Sequence, residues 1–218
     1  MVNGELALRI DGERPPSAAS VEQLGDLCDR AEDRREPGPV TVHVTGVPPE
    51  GWSKELTVGL VTKWERVVRR FERLRRVTLA VASGDCAGVA LDLLLAADVR
   101  IASPGTRLLL ARAGGATWPG MTVHRLTQQA GAAGIRRAVL LGAPIDADRA
   151  LALNLVDEVS EDPGTTLAGL AEAAGAVDGT ELAIRRQLIF EAGSTTFEDA
   201  LGAHLAAADR ALRREVVP

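Results

Sequence analysis

An α/β fold built on parallel strands follows from three features of this sequence. β-like runs alternate with helical patterns through the first half, and the chain turns mostly helical from Pro119 onward. One strand-like run also feeds through small residues directly into an apolar helix. Strands that alternate with helices imply right-handed crossovers and a parallel sheet whose strand-to-helix turns carry sites.

Taken in order, Glu5-Leu6-Ala7-Leu8-Arg9-Ile10 predicts a first strand, ended by Asp11-Gly12 and Pro15-Pro16. Ser20 with Gln23 resembles a capping box and opens a helix through about Arg34, stopped by Pro37-Gly38-Pro39. Val40 to Thr45 is the second strand, and the turn-rich loop Gly46 to Ser53 precedes a helical pattern from about Glu55 to Arg73. Val77 to Ala82 is the third strand, Gly84 to Ala97 the small-residue turn and its apolar helix. Val99 to Ala102 and Thr106 to Leu110 are β-like around Pro104-Gly105, and Leu155 to Val159 is a short late strand. Gly131, Gly134, Gly142 and Pro144 punctuate the helical second half, whose last helix runs from about Thr196 or Phe197 to Arg214.

The turn at Gly84 to Asp92 holds the chemistry. Unpaired backbone N–H groups at a helix N-terminus hold an anion or a developing oxyanion. Asp92 lies in the first turn or so of the same apolar helix, so a buried acid stands beside a ring of donors.

Composition excludes several function classes. The 218 residues are 46% hydrophobic and 25% charged, as in an ordinary soluble domain with a substantial core. A net charge of −5 gives no global attraction to nucleic acid or anionic membrane. There is no Tyr, and aromatics make up 3% of the chain, too few for base-stacking platforms. Cys28 and Cys86 offer neither a disulfide framework nor metal spacing, and His43, His124 and His204 are scattered, so no metal is expected. Met1 to Glu5 lacks a basic and hydrophobic leader and no apolar run approaches membrane-spanning length, so a cytoplasmic protein with reduced thiols is expected.

The motifs together resemble the crotonase (enoyl-CoA hydratase/isomerase) superfamily. Ser83-Gly84, Cys86, Gly88-Val89-Ala90 and Ala97-Asp98-Val99-Arg100-Ile101-Ala102-Ser103 fill the family's glycine turn and its Asp-x-Arg-Ile-Ala-Ser segment. Trp118-Pro119-Gly120 with Arg125-Leu126 matches a later signature, and Leu140-Leu141-Gly142, Ile145-Asp146-Ala147, Ala150 and Leu155-Val156 follow in order. The match holds in register over residues 40 to 160. It implies a spiral of ββα units over residues 1–160, a C-terminal helical oligomerisation or capping region over 161–218, and a homotrimer or hexamer. It also implies an acyl-CoA substrate, with coenzyme A as part of that substrate and no separate cofactor.

The resemblance implies roles residue by residue. Oxyanion-hole N–H groups fall on Val89 and, in the loop after the second strand, on Trp52. The first of the family's two glutamates falls on Asp92, and the second on Arg112 after Ala111. With one acid replaced, a standard two-glutamate hydratase is not expected, whereas one carboxylate suffices for proton abstraction or return. Arg112 would hold a substrate oxygen. Asp85, Gly88, Thr117 and Trp118 are candidate substrate contacts, and Arg185 and Arg186 candidate CoA contacts. Several have a structural alternative: Asp92 as a bonded core acid, Asp85 as a turn residue, Arg112 in a subunit ion pair, Trp118 as core, Arg185 and Arg186 as a solvated face or trimer interface. Asp98 reads as a structural residue at a helix-to-strand junction, and Cys86 as packing.

Within the superfamily, the short length, the Pro48-Pro49 loop and the Ser83 to Gly88 turn look most like the DpgB-type proteins. Those accompany a type III polyketide synthase in forming 3,5-dihydroxyphenylacetyl-CoA. The expectation is therefore a dehydratase-type lyase or isomerase of a polyketide-derived acyl-CoA. The alternative is a catalytically weakened fold that binds and activates a partner synthase.

Overall fold

Parallel pairing organises the computed structural model, which describes residues 6–215. β1 (Ala7–Asp11), β2 (Val40–Gly46), β3 (Thr78–Cys86), β4 (Val99–Ala102) and β9 (Glu158–Val159) lie side by side in that order, each pair parallel. β5 (Arg107–Leu108) adds parallel to the far end of β3, and β8 (Ile145–Asp146) pairs antiparallel with β5. β6 (Arg112–Ala113) and β7 (Ala116–Thr117) form a separate two-stranded ribbon. The helices are α1 (Ala18–Asp33), α2 (Val58–Glu72), α3 (Val89–Ala96), α4 (Met121–Leu141), α5 (Ala147–Ala152), α6 (Pro163–Gly175), α7 (Gly179–Ala192) and α8 (Phe197–Glu215).

The α/β fold with a parallel sheet and C-terminal helices is as the sequence predicts; several boundaries move. Glu5 lies outside the described residues. The capping box at α1 uses Ser17 and Ser20, not Ser20 and Gln23: Ser17 accepts from the Ser20 N–H and Ser20 returns the bond to the Ser17 N–H. α2 starts at Val58 because the Thr57 hydroxyl caps it, accepting from the Leu60 N–H. β3 runs on through Ser83 to Cys86, since Gly46 pairs with Cys86 across a bulge. α4 is kinked at Gly131, where φ is 69°.

The chain divides into two compact units, Met1–Ala176 and Val177–Pro218. The first contains the sheet and its core. All eight residues of α3 are buried, as an apolar helix without a polar face requires. Trp64 and Phe71, seven residues apart on α2, are the largest fully buried side chains beside it. In the second unit α7 and α8 pack together, and Glu181 pairs with Arg185, Arg210 and Arg214.

The run of arginines around α2 ties helices together. Arg70 bonds Asp29 and Glu32 of α1, and Arg76 donates to the carbonyls of Ala31, Arg34, Glu36 and Gly38 at the end of α1. Asp98 is structural as expected: its carboxylate accepts from the Thr78 N–H at 2.8 Å and hydroxyl at 2.9 Å, fixing where β3 and β4 start. Among the described residues no helix is long and apolar enough to cross a membrane.

The turn that opens α3 is clamped by backbone. Gly12 donates to the Thr45 carbonyl at 2.6 Å, and Ala87 donates to the Gly46 carbonyl at 3.0 Å. A Cβ on Gly12 would lie 2.2 Å from the Gly46 oxygen and 2.7 Å from the Ala87 oxygen, so only glycine lets these three segments meet. Gly12→Ala is expected to cost about 3 kcal/mol through this overlap. Urea unfolding checks it; a midpoint unchanged from wild type would mean that the clamp yields without cost.

Candidate active site

Gly88 takes φ 56° and ψ −130°, a conformation that a side chain resists, and so starts α3 abruptly after β3. The Val89 N–H that follows has no hydrogen-bond acceptor among the described residues, as the first residues of a helix leave their donors open. Val89, Gly88 and Asp92 line one cavity, together with Trp52, Trp64, Glu65, Trp118 and Thr122. Its volume is about 30 Å³, room for about one or two waters. A groove of about 480 Å³ adjoins it, within the usual range of ligand pockets. Leu56, Val61, Glu65 and Trp118 border both spaces, so the groove meets the cavity that Asp92 lines.

Asp92 is buried, and both of its oxygens are held. The Thr122 hydroxyl donates to Oδ1 at 2.5 Å, and the Trp64 Nε1–H donates to Oδ2 at 2.9 Å. Burial pushes the carboxyl above its ordinary range; the two hydrogen bonds and the nearby Arg125 charge pull it back, and Glu72 adds to the rise. Arg125 is itself buried. It donates from Nε to Glu72 Oε1 at 2.8 Å and from Nη2 to Glu65 Oε2 at 2.9 Å, and its Nη1 lies 3.9 Å from Asp92 Oδ1. Burial raises Glu65 too, with the Asp92 charge second, against the opposing Arg125. Thr122 and Arg125 stand three residues apart on one face of α4, which is how a single helix reaches all three acids.

Four of the sequence-predicted site residues meet at this cavity: Asp92, Val89, Gly88 and Trp118. Trp52 meets it with a different part of the residue. Its backbone N–H is engaged, donating to the Pro49 carbonyl at 3.2 Å within the loop turn, so the expected second oxyanion donor is corrected. The indole is what faces the cavity. It stands edge-on to Trp118 at 5.3 Å and donates from Nε1 to the Arg112 carbonyl at 2.7 Å.

Arg112 does not bring its side chain to the site. Its guanidinium is exposed, donates to the Gly115 carbonyl at 2.8 Å and lies against Gly142 at the end of α4. Ala111 lines the cavity instead. Asp85 is likewise drawn away, because the register of β3 with β5 sets it opposite Arg107. Arg107 grips it through Nε at 2.7 Å and Nη2 at 2.5 Å and holds its carboxyl below the usual range. The Thr117 hydroxyl is spent on the Val139 carbonyl at 2.6 Å. Arg185 and Arg186 lie on α7 in the second unit, Arg185 exposed and Arg186 buried. Burial pushes the Cys86 thiol up to about 12, which leaves it a packing residue. Among the described residues no group of three or more His, Cys, Asp or Glu is placed to hold a metal ion.

Sequence reasoning missed Glu65, Trp64, Thr122 and, as a site residue, Arg125. The available signal was the seven-residue spacing of Glu65 and Glu72 on α2 with Arg125 on the motif helix. Trp64→Phe keeps an aromatic ring, though a smaller one, and removes one donor from Asp92. The Asp92 carboxyl is then expected to titrate at higher pH than in wild type, because a bond to the charged form has gone. Carbon-13 carboxyl NMR reads this, and an unchanged titration would show that the indole does not stabilise the ionised form.

No protein-family model matches the chain. An enoyl-CoA-hydratase of Amycolatopsis orientalis is 80% identical over 214 residues, covering 98% of this chain and 99% of that protein. Among solved structures, an enoyl-CoA hydratase/isomerase family protein from Silicibacter pomeroyi superposes with a TM-score of 0.81 at 21% identity, covering 97% of both chains. An enoyl-CoA hydratase/isomerase from Marinobacter aquaeolei gives 0.79 at 17% identity, covering 97% of this chain and 89% of the other. Full-length identity of this order, joined to the shared fold and the α3 turn, establishes that the chain belongs to the crotonase (enoyl-CoA hydratase/isomerase) superfamily.

Proposed function

We propose that this protein is a dehydratase-type lyase or isomerase that acts on a polyketide-derived acyl-CoA thioester. In this reading it assists a type III polyketide synthase in forming 3,5-dihydroxyphenylacetyl-CoA, in the manner of the DpgB-type proteins. Asp92 moves a proton at the carbon next to the thioester, and the Val89 N–H stabilises the enolate oxygen that develops. The observation that carries the reading is the buried Asp92 carboxylate, fixed by Thr122 and Trp64 in a cavity also lined by Val89, whose N–H is unpaired among the described residues. The apolar groove beside it suits an acyl chain. The name borne by the Amycolatopsis orientalis relative is of the same reaction class.

A second reading, a fold that binds and activates the synthase without chemistry of its own, is favoured by the small volume of the inner cavity. The two differ in what Asp92→Asn does. In the synthase reaction with malonyl-CoA, this variant is expected to lower assisted product formation at least about 100-fold while staying folded by circular dichroism. Products are identified by mass. Full assistance from the folded variant would leave the activator reading standing. Products that are the same with and without wild-type protein would remove the pathway assignment altogether.

The same reading makes the protein a cytoplasmic homotrimer or hexamer. Phe197, Leu201 and Leu205, four residues apart along α8, are exposed apolar side chains that support self-association. Light scattering is expected to return the mass of three or six chains; a monomer at micromolar concentration would contradict this assignment.

A further inference from the structure

We propose that Glu65 is the second proton-carrying residue of the site: it protonates the leaving β-oxygen of the substrate while Asp92 takes the α-proton. The inference rests on the acyl-thioester reading above and deepens it. It supplies from α2 the acid that Arg112 does not provide.

Position singles out Glu65 among the three clustered carboxylates. It borders both the inner cavity and the apolar groove, so a ligand passing from one to the other runs along it. Glu72 borders neither, and both its oxygens are engaged, Oε1 by Arg125 and Oε2 by Arg69 at 2.7 Å. Asp92 is held through both oxygens by hydroxyl and indole donors, which favours the ionised, proton-accepting form. Glu65 is held through Oε2 alone. Its Oε1 has no hydrogen-bond partner among the described residues and is not sealed from solvent.

Donor counting points the same way. Glu72 is paired with Arg125 and Arg69, and Asp92 accepts two hydrogen bonds with Arg125 nearby. The carboxylate with the fewest donors to its charged form holds a proton most readily, and that is Glu65. The pair is therefore divided by surroundings into a base, Asp92, and an acid, Glu65.

The step balances. On a 3-hydroxyacyl thioester the Asp92 carboxylate removes the α-proton, and the C–H electron pair moves into the enolate at the Val89 N–H. The enolate collapses to the α,β double bond as the β-carbon–oxygen bond breaks. The Glu65 proton joins the departing oxygen, which leaves as water. Asp92 ends protonated and Glu65 ionised, and proton exchange with solvent resets them. Addition of water is the same path reversed.

The test uses full-length protein with 3-hydroxybutyryl-CoA as probe and two readouts: water loss by absorbance of the enoyl thioester, and α-proton exchange in deuterated water by NMR. Glu65→Gln is expected to slow water loss at least about 100-fold and to leave exchange within about threefold of wild type. A folded variant that dehydrates like wild type, or that loses both readouts equally, overturns the proposal, the latter because Glu65 would then act only through Asp92. If the amide variant does not fold, Glu65→Asp keeps the charge toward Arg125. A selective loss of dehydration in Glu65→Asp supports the proposal, and wild-type dehydration refutes it. Wild-type protein that exchanges the α-proton without dehydrating also overturns it. Wild-type protein that does neither with this probe overturns the proposal, whereas the thioester reading stands or falls separately on the products formed with the synthase and malonyl-CoA.

Discussion

Arg125 enters from the first turns of α4 into a space where carboxylates from α2 and α3 converge, and the geometry of the site depends on that buried charge. A guanidinium taken out of water needs compensating anions with good hydrogen-bond geometry, and Glu65 and Glu72 supply both. Once they are fixed, α2 is set in register against α4, and Trp64, next to Glu65, is set against Asp92. Loss of the guanidinium would strand three acids in a poorly solvated space, a far greater penalty than the loss of an exposed ion pair. The same residue that joins the helices thereby sets the electrostatics of the cavity.

The fold was legible in the sequence because parallel strands buried on both faces and amphipathic crossover helices leave different periods in the chain. Asp92 was legible for a related reason: one carboxylate in an otherwise apolar helix beside a glycine turn has few places to go except a site. Glu65 was not. It stands in Lys63-Trp64-Glu65-Arg66, on a helix whose charges resemble a solvated face, and only the approach of α4 shows that one side of that face is covered. Asp85 and Arg112 failed for the opposite reason. The motif places both residues, but side-chain direction is set by pairing. The β3–β5 register gives Asp85 to Arg107, and the β6–β7 ribbon turns Arg112 outward.

Position 112 shows how a site can keep a residue while changing what it uses. The arginine side chain lies outside the cavity, yet its carbonyl receives the Trp52 indole and so anchors the loop that follows β2. Main-chain groups carry this function regardless of the side chain above them. The Val89 donor is a second case, since a bulky residue follows Gly88 without removing the N–H. The acid of the site is thus free to arise from another helix while the backbone framework stays in place.

The cavity has one further property, which concerns light. The chain contains three tryptophans and no tyrosine, and Trp52, Trp64 and Trp118 all border the same small space. Essentially all of its near-ultraviolet absorption and emission therefore originates within a few side chains of Asp92. Trp64 is coupled to that carboxylate by a hydrogen bond, and Trp52 to Trp118 by ring contact. The protein is in effect labelled at its own centre, so a change there registers in the intrinsic spectrum without background from the rest of the fold.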